Sequence, residues 1–254
     1  MRVSSAQLKS IWTKVPDGLM HSITNSHLLF QDTPTVVLVH GLVISSAYMR
    51  PTAEYLVPLC QVYAVDLPGY GKSYKPRNVL SLPELADALA DWMDALKIPK
   101  AHLIANSFGC QILAEFAIRY PQRVNRLVLQ GPTIDSEART FWQQFIRSLL
   151  NSRNEPSSLT WITIKDYKSA GLRRAWATVK LAMEDRVEEK LPKIHVPTLV
   201  VRGGKDPIVP QRWAEEVTRL LPQGELRVIP DVGHTINYSA PLEFVSVIKP
   251  FLQL

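Results

Sequence analysis

The chain has 254 residues, 46% hydrophobic and 20% charged, which bounds it to one large α/β domain or two small ones of ordinary globular composition. The formal net charge is +6, but cations lie beside acids, as in Arg186-Val187-Glu188-Glu189-Lys190, so a solvated surface is expected, with no nucleic-acid partner. No apolar run approaches the roughly 20 residues that span a bilayer, and the start lacks a signal peptide's apolar centre, so a cytoplasmic protein is expected.

Residues 11 to 31 hold short stretches, Ile11-Trp12-Thr13-Lys14-Val15 and Leu28-Leu29-Phe30, broken by Pro16-Asp17-Gly18 and Asn25-Ser26. They read as antiparallel strands at a sheet edge. Val36-Val37-Leu38-Val39 is a continuous β-branched run, the mark of a strand buried on both faces of a parallel sheet. It ends in His40-Gly41. A helical stretch from Ser46 to Leu59 leads to a second such strand, Val62-Tyr63-Ala64-Val65, and then to a loop dense in Gly and Pro from Asp66 to Ser73. Ser81-Leu82-Pro83-Glu84 is a capping box and predicts a helix to about Leu96.

Next comes Leu103-Ile104-Ala105-Asn106-Ser107-Phe108-Gly109-Cys110, an apolar strand running into a serine flanked by small residues. A helical pattern follows from Gln111 to Tyr120. So tight a strand-to-helix turn strains its central residue and requires small residues two before and two after, here Ala105 and Gly109. Ser107 would stand exposed above the sheet. After the strand Leu127-Val128-Leu129 and Gly131-Pro132 the alternation stops. From Thr133 to Lys190 the pattern is helical and aromatic, over 141–150, 159–167 and 172–183. It resumes with strand 198–201, helix 211–220, strand 226–229 and helix 241–251. The middle stretch is therefore an insertion. The expected division is a core of 1–132 and 191–254 with a helical cap of 133–190.

A serine hydroxyl is a poor nucleophile without a general base, and the base needs an acid to hold its tautomer. His21, His27, His102 and His195 read as surface or packing residues, and His40 borders the site and shapes a loop. His234 follows the last strand, at the strand C-terminal rim where sites in parallel sheets form. Among the acids on that rim, Asp206 lies 28 residues before His234, one helix and one strand away, and is the first candidate. Asp135 is the next; Asp66 and Asp231 share the rim. Oxyanion donors are expected from the N–H groups of Phe108, at a helix start, and Leu42, after His40-Gly41. Cys60 and Cys110 read as two buried free thiols, and no metal-ligand spacing is present.

Val39-His40-Gly41, the loop from Asp66 to Ser73, the turn around Ser107 and the Asp206 and His234 loops together resemble the α/β-hydrolase superfamily over nearly the whole chain. The order serine, acid, histidine is the one that fold uses. The resemblance implies an eight-stranded, mostly parallel sheet with helices on both faces and a helical cap inserted after strand six. It departs from the family in Ala105 where Gly is usual and in Cys110 where a second Gly is common. Asn106 and Arg173-Arg174 resemble hydrolases that cleave carbon–carbon bonds in ring-fission products, but those carry Trp after the histidine where this chain has Thr235.

The expected activity is cofactor-free hydrolysis of small to medium carboxylic esters through an acyl-enzyme on Ser107, with His234 and Asp206. His40, Gly41, Asn106, Trp142, Trp161 and Trp176 are the expected pocket residues, and the cap aromatics Phe141 and Phe145 are expected to cover the pocket with those tryptophans. The alternatives are a carbon–carbon bond hydrolase acting on diketone acids of the meta-cleavage type and a ligand sensor on the same fold. The expected partner is a small-molecule ester, for a monomer or homodimer.

Overall fold

A computed structural model describes residues 8–25 and 33–254. β1 (Leu8–Val15) and β2 (Gly18–Asn25) form an antiparallel hairpin. β2 pairs antiparallel with β4 (Gln61–Val65), and from there every pairing is parallel, through β3 (Thr35–Val39), β5 (Ala101–Asn106), β6 (Val124–Gln130), β7 (Thr198–Gly203) and β8 (Gly224–Ile229). The order across the eight-stranded sheet is β1-β2-β4-β3-β5-β6-β7-β8.

The hairpin's second strand departs from the sequence expectation. Leu28-Leu29-Phe30 lies outside the described residues, as does His27, and the strand that pairs with β1 is Gly18–Asn25. It buries His21, Ser22, Thr24 and Asn25, so a hydrophobic pattern does not flag it. Hydrogen bonds make the burial of His21, Thr24 and Asn25 tolerable, while Ser22 Oγ has no partner among the described residues. His21 Nδ1 meets the Asp66 carboxylate at 2.8 Å, Gln61 Nε2 donates to Thr24 Oγ1 at 2.7 Å, and Asn25 Nδ2 donates to the Cys60 carbonyl at 3.1 Å.

Helices cover both faces, as parallel crossovers require. α2 (Leu82–Ala95), α3 (Phe108–Arg119) and α8 (Gln211–Leu220) pack against Val37, Val39, Leu103 and Leu129 on one side. α1 (Arg50–Leu56) and α10 (Pro241–Leu252) pack against Val36, Leu38, Ile104 and Val128 on the other. Alternate strand residues thus feed alternate cores. The predicted capping box opens α2: Ser81 N–H donates to Glu84 Oε2 at 2.7 Å. The single helix expected from Ser46 is instead a 3₁₀ turn, Ser46–Met49, followed by α1. Pro51, with no N–H to bond back, sits at that junction.

Between β6 and β7 lie α4 (Phe141–Asn151), α5 (Ser157–Ala170), α6 (Leu172–Glu184) and the single turn α7 (Val187–Lys190). They touch the loops after β4, β7 and β8. Tyr70 Oη meets Thr178 Oγ1 at 2.8 Å, Arg147 Nη1 donates to the Ile208 carbonyl at 3.2 Å, and Asn154 Nδ2 donates to that of Lys205 at 3.1 Å. The short helix α9 (Ile236–Ser239) follows the β8 loop.

Candidate active site

Ser107 occupies the one-residue joint between β5 and α3 with φ 56° and ψ −124°, a region that costs a non-glycine residue about 1–3 kcal/mol. The joint holds because β3 leaves no room for anything larger beside it. A Cβ at Gly109 would stand 2.6 Å from the His40 carbonyl and 3.2 Å from the Ala105 methyl. Glycine is therefore needed after the serine, while the Ala105 methyl is accommodated before it. Ser107 N–H donates to the Gln130 carbonyl at 2.9 Å, and Cys110 N–H closes the turn onto the Ser107 carbonyl at 2.9 Å. Cys60 and Cys110 are both free and buried.

His234 stands on the β8 loop with Asp206 behind it. His234 Nδ1 lies 2.7 Å from Asp206 Oδ2, while Asp206 Oδ1 accepts from the N–H groups of Ile208 at 2.8 Å and Val209 at 3.1 Å. Those two donors fix the carboxylate, and the carboxylate puts the imidazole proton on Nδ1. His234 Nε2 is buried and has no hydrogen-bond partner among the described residues. Burial works against the imidazolium, but the charge and hydrogen bond of Asp206, with Glu155 further off, outweigh it and raise the His234 pKa above its ordinary value. Gly131, at φ 57°, backs the ring: a Cβ there would lie 2.8 Å from His234 Cε1. The other acids of the rim are engaged elsewhere. Asp135 binds Arg147 and Arg212, Asp66 binds His21, and Asp231 binds Lys205 at the surface.

One polar chain joins the loop after β3 to the histidine loop. Gly41 N–H donates to Tyr48 Oη at 2.7 Å, and Tyr48 Oη–H donates to Asn106 Oδ1 at 2.7 Å. Asn106 Nδ2 then reaches the carbonyls of Gln130 and His234, each at 3.3 Å. Val43, at φ 52°, turns that loop so that Leu42 faces the serine's cavity. His40 does not line the cavity, contrary to expectation. Its Nδ1 donates to the Gly41 carbonyl at 2.9 Å and its Nε2 accepts from Leu67 N–H at 3.1 Å, so both nitrogens are committed. Burial lowers its pKa, which keeps that tautomer neutral.

A cavity of about 680 Å³ opens between this floor and the inserted helices. Ser107, His234, Gly41, Leu42, Asn106 and Phe108 line its base. Trp142, Trp161 and Trp176, expected to line it, do not. They are 69%, 75% and 60% exposed, because each falls on the outward side of its helix. The expected Phe141 and Phe145 do line it, and the insertion adds Leu159, Ile164, Asn151 and Glu155. Those two polar residues grip the histidine loop. Asn151 Oδ1 accepts from His234 N–H at 3.0 Å, and Glu155 Oε1 accepts from Thr235 N–H at 2.9 Å while Oε2 accepts from the Thr235 hydroxyl. Sequence reading missed both, along with Tyr48 and Gly131. Only Gly131 carried a signal, as a glycine ending a buried strand on the site's rim.

Residues 36–247 match the model of the alpha/beta hydrolase family. The chain belongs to that family. It is similar to carboxylesterase YbfK of Bacillus subtilis (strain 168), 27% identical with 85% of this chain and 79% of the other covered. It is 26% identical to 2-hydroxy-6-oxo-2,4-heptadienoate hydrolase of Pseudomonas putida, over 90% of this chain and 92% of the other. Among solved structures, a thermophilic esterase from Thermogutta terrifontis superposes with a TM-score of 0.76 at 26% identity, over 98% of each chain.

Elsewhere in this family member Ser10, His21 and Asp66 form a cluster whose residues do not line the cavity. His21 bridges Ser10 Oγ, at 2.9 Å, and Asp66 Oδ2, at 2.8 Å. Ser10 lies mid-strand in β1, where no helix N-terminus backs it to receive an oxyanion. Asp66 also accepts the N–H groups of Ser46 and Lys72 and joins the hairpin to the sheet. Its work is structural. Among the described residues no cluster of His, Cys, Asp and Glu could hold a metal ion, and no helix is long and apolar enough to cross a membrane.

Proposed function

We propose that the chain hydrolyses neutral carboxylic esters of small to medium size through an acyl-enzyme. Ser107 attacks the ester carbonyl, and His234 Nε2 takes its proton and returns it to the leaving alcohol. Asp206 holds the imidazole tautomer and stabilises the imidazolium. The N–H of Phe108, first in α3 and so without an intrahelical acceptor, and the N–H of Leu42 would receive the oxyanion. Water activated by His234 then releases the acid. The helices of 133–190 act as a cap whose apolar lining receives the substrate. The observation that carries this reading is the free Nε2 of an Asp206-bound histidine on the wall that Ser107 also lines.

The lining also weighs against a diketone acid. It includes no Arg or Lys, and its one carboxylate, Glu155, would repel a carboxylate substrate. Arg173 is exposed, and Arg174 Nη2 donates to the Pro76 carbonyl at 2.5 Å, so neither faces the cavity. A panel of nitrophenyl esters of increasing acyl length, run beside one diketone acid, tests the reading. Ser107→Ala is expected to lower ester turnover by a factor on the order of 10⁴ or more and to abolish fluorophosphonate labelling. Near-normal turnover by that variant, or preference for the diketone acid, would overturn it.

A further inference from the structure

Helix α4 is built inside out. The side chains it buries are polar: Gln144 and Arg147 are half-buried and Asn151 is buried, while Phe141 and Phe145 reach the cavity yet stay exposed. Spaced three and four residues apart, the polar three form one stripe. Arg147 Nη1 donates to Asp135 Oδ2 at 2.8 Å, and Asn151 holds the His234 loop. The apolar side chains Phe141, Trp142, Phe145, Ile146, Leu149 and Leu150 are all exposed. A surface helix of a water-soluble domain normally shows the reverse pattern.

The apolar face continues past α4. The Phe141 ring lies 5.5 Å from that of Trp142 and 5.5 Å from that of Trp176 on α6. Leu172, 85% exposed, stands one turn before Trp176 on the same side of α6. On α5 the exposed Trp161 and Ile164 share a stripe with Lys165 and Lys168. Contiguous exposed apolar area of this kind marks a partner surface.

Charge selects the partner. Across residues 141–180 the exposed charged side chains are cationic, Arg153, Lys165, Lys168, Arg173 and Lys180, of which Lys180 is paired with exposed Glu184 at the end of α6. The two acids of that span turn inward, Glu155 onto Thr235 and Asp166 into a buried site. Two copies meeting on this face about a two-fold axis would set like charges together. An anionic lipid headgroup layer complements them, and aromatic side chains rimmed by Lys and Arg suit such an interface.

We propose that the outer face of α4, with the exposed sides of α5 and α6, docks on an anionic lipid bilayer. The α4 apolar side chains enter the headgroup boundary and the lysines of α5 meet the phosphates. Phe141 and Phe145 belong both to this face and to the cavity lining, so the docked cavity mouth opens onto lipid. The docking goes beyond the ester reading and stands or falls without it.

The test floats the full chain with vesicles of phosphatidylcholine alone and of phosphatidylcholine mixed with phosphatidylglycerol. Association with the mixed vesicles is expected, with a blue shift of tryptophan emission and release as salt rises. Ile146→Ser with Leu149→Ser removes exposed apolar area outside the cavity, and Lys165→Glu with Lys168→Glu reverses two charges. Each pair is expected to weaken binding to mixed vesicles by about ten-fold or more, with the wild-type melting temperature kept. Wild-type protein that leaves mixed vesicles unbound overturns the proposal. So does equal binding to both vesicle types that ignores the charge reversal. Light scattering that finds a dimer dissociated by Ile146→Ser with Leu149→Ser, without vesicle binding, assigns the face to a second copy and overturns it too.

Discussion

Asn106 sits next to the serine, yet its side chain serves the loops on either side. Through Tyr48 Oη it fixes the backbone of Gly41, and through Nδ2 it reaches the His234 carbonyl, so one amide spaces the two halves of the site. Tyr48→Phe would leave the buried Gly41 N–H and Asn106 Oδ1 without that partner, which costs about 1–3 kcal/mol. The loop carrying Leu42 N–H would loosen, so kcat should fall more than KM rises, with the melting temperature lowered. Steady-state kinetics on a short ester check this; a change confined to KM would refute it. The identity of Asn106 is readable beside Ser107, but Tyr48 lies 58 residues earlier and nothing in its own stretch marks it. Hydrogen bonds between distant residues leave no periodicity to read.

At the scale of elements, the inserted helices reach the chemistry through their ends. Asn151 closes α4 and Glu155 precedes α5, and both hold the loop carrying His234. The Glu155 carboxylate also contributes to the raised pKa of His234, behind burial, which opposes it, and Asp206, which leads it. On the proposed mechanism His234 is the general base and must be unprotonated, so activity is expected to fall as pH drops through that raised value. Glu155→Gln keeps the shape and removes the charge. The acid limb of kcat/KM against pH should therefore move to lower pH, toward the ordinary histidine value; an unmoved limb would show that Glu155 acts by hydrogen bonding alone. Helix spans in the insertion follow from the sequence because aromatic spacing and the Asn151–Pro156 break are local. Which side of each helix faces inward does not. The apolar stripe of α4 points outward because Arg147 and Asn151 find Asp135 and the His234 backbone inside.

For the whole molecule, a buried histidine with a lowered pKa works against stability in acid. His102, at the start of β5, is buried with Nδ1 lacking a partner among the described residues, and burial first, then Arg126 and Lys100, lowers its pKa from 6.5 to about 4. Between those values the unfolded chain binds the proton that the folded chain refuses, so unfolding gains as pH falls from 6.5 toward about 4. The melting temperature should decline across that window, and His102→Gln should flatten the decline. An unchanged slope in the variant would place the effect elsewhere, His40 being the next buried histidine with a lowered pKa.

The sequence by itself determined the alternating architecture, the strained turn at Ser107 and the loops of Asp206 and His234. Each is local: a β-branched run, a small residue two places from the serine, a polar residue just past a strand end. Tertiary structure alone decided that Asp206 faces His234 while Asp135 is held by two arginines, that polar β2 belongs in the sheet, and that the three tryptophans turn to solvent. Those outcomes depend on which groups meet across long chain separations. A side chain's partner, more than its own polarity, settles which way it points.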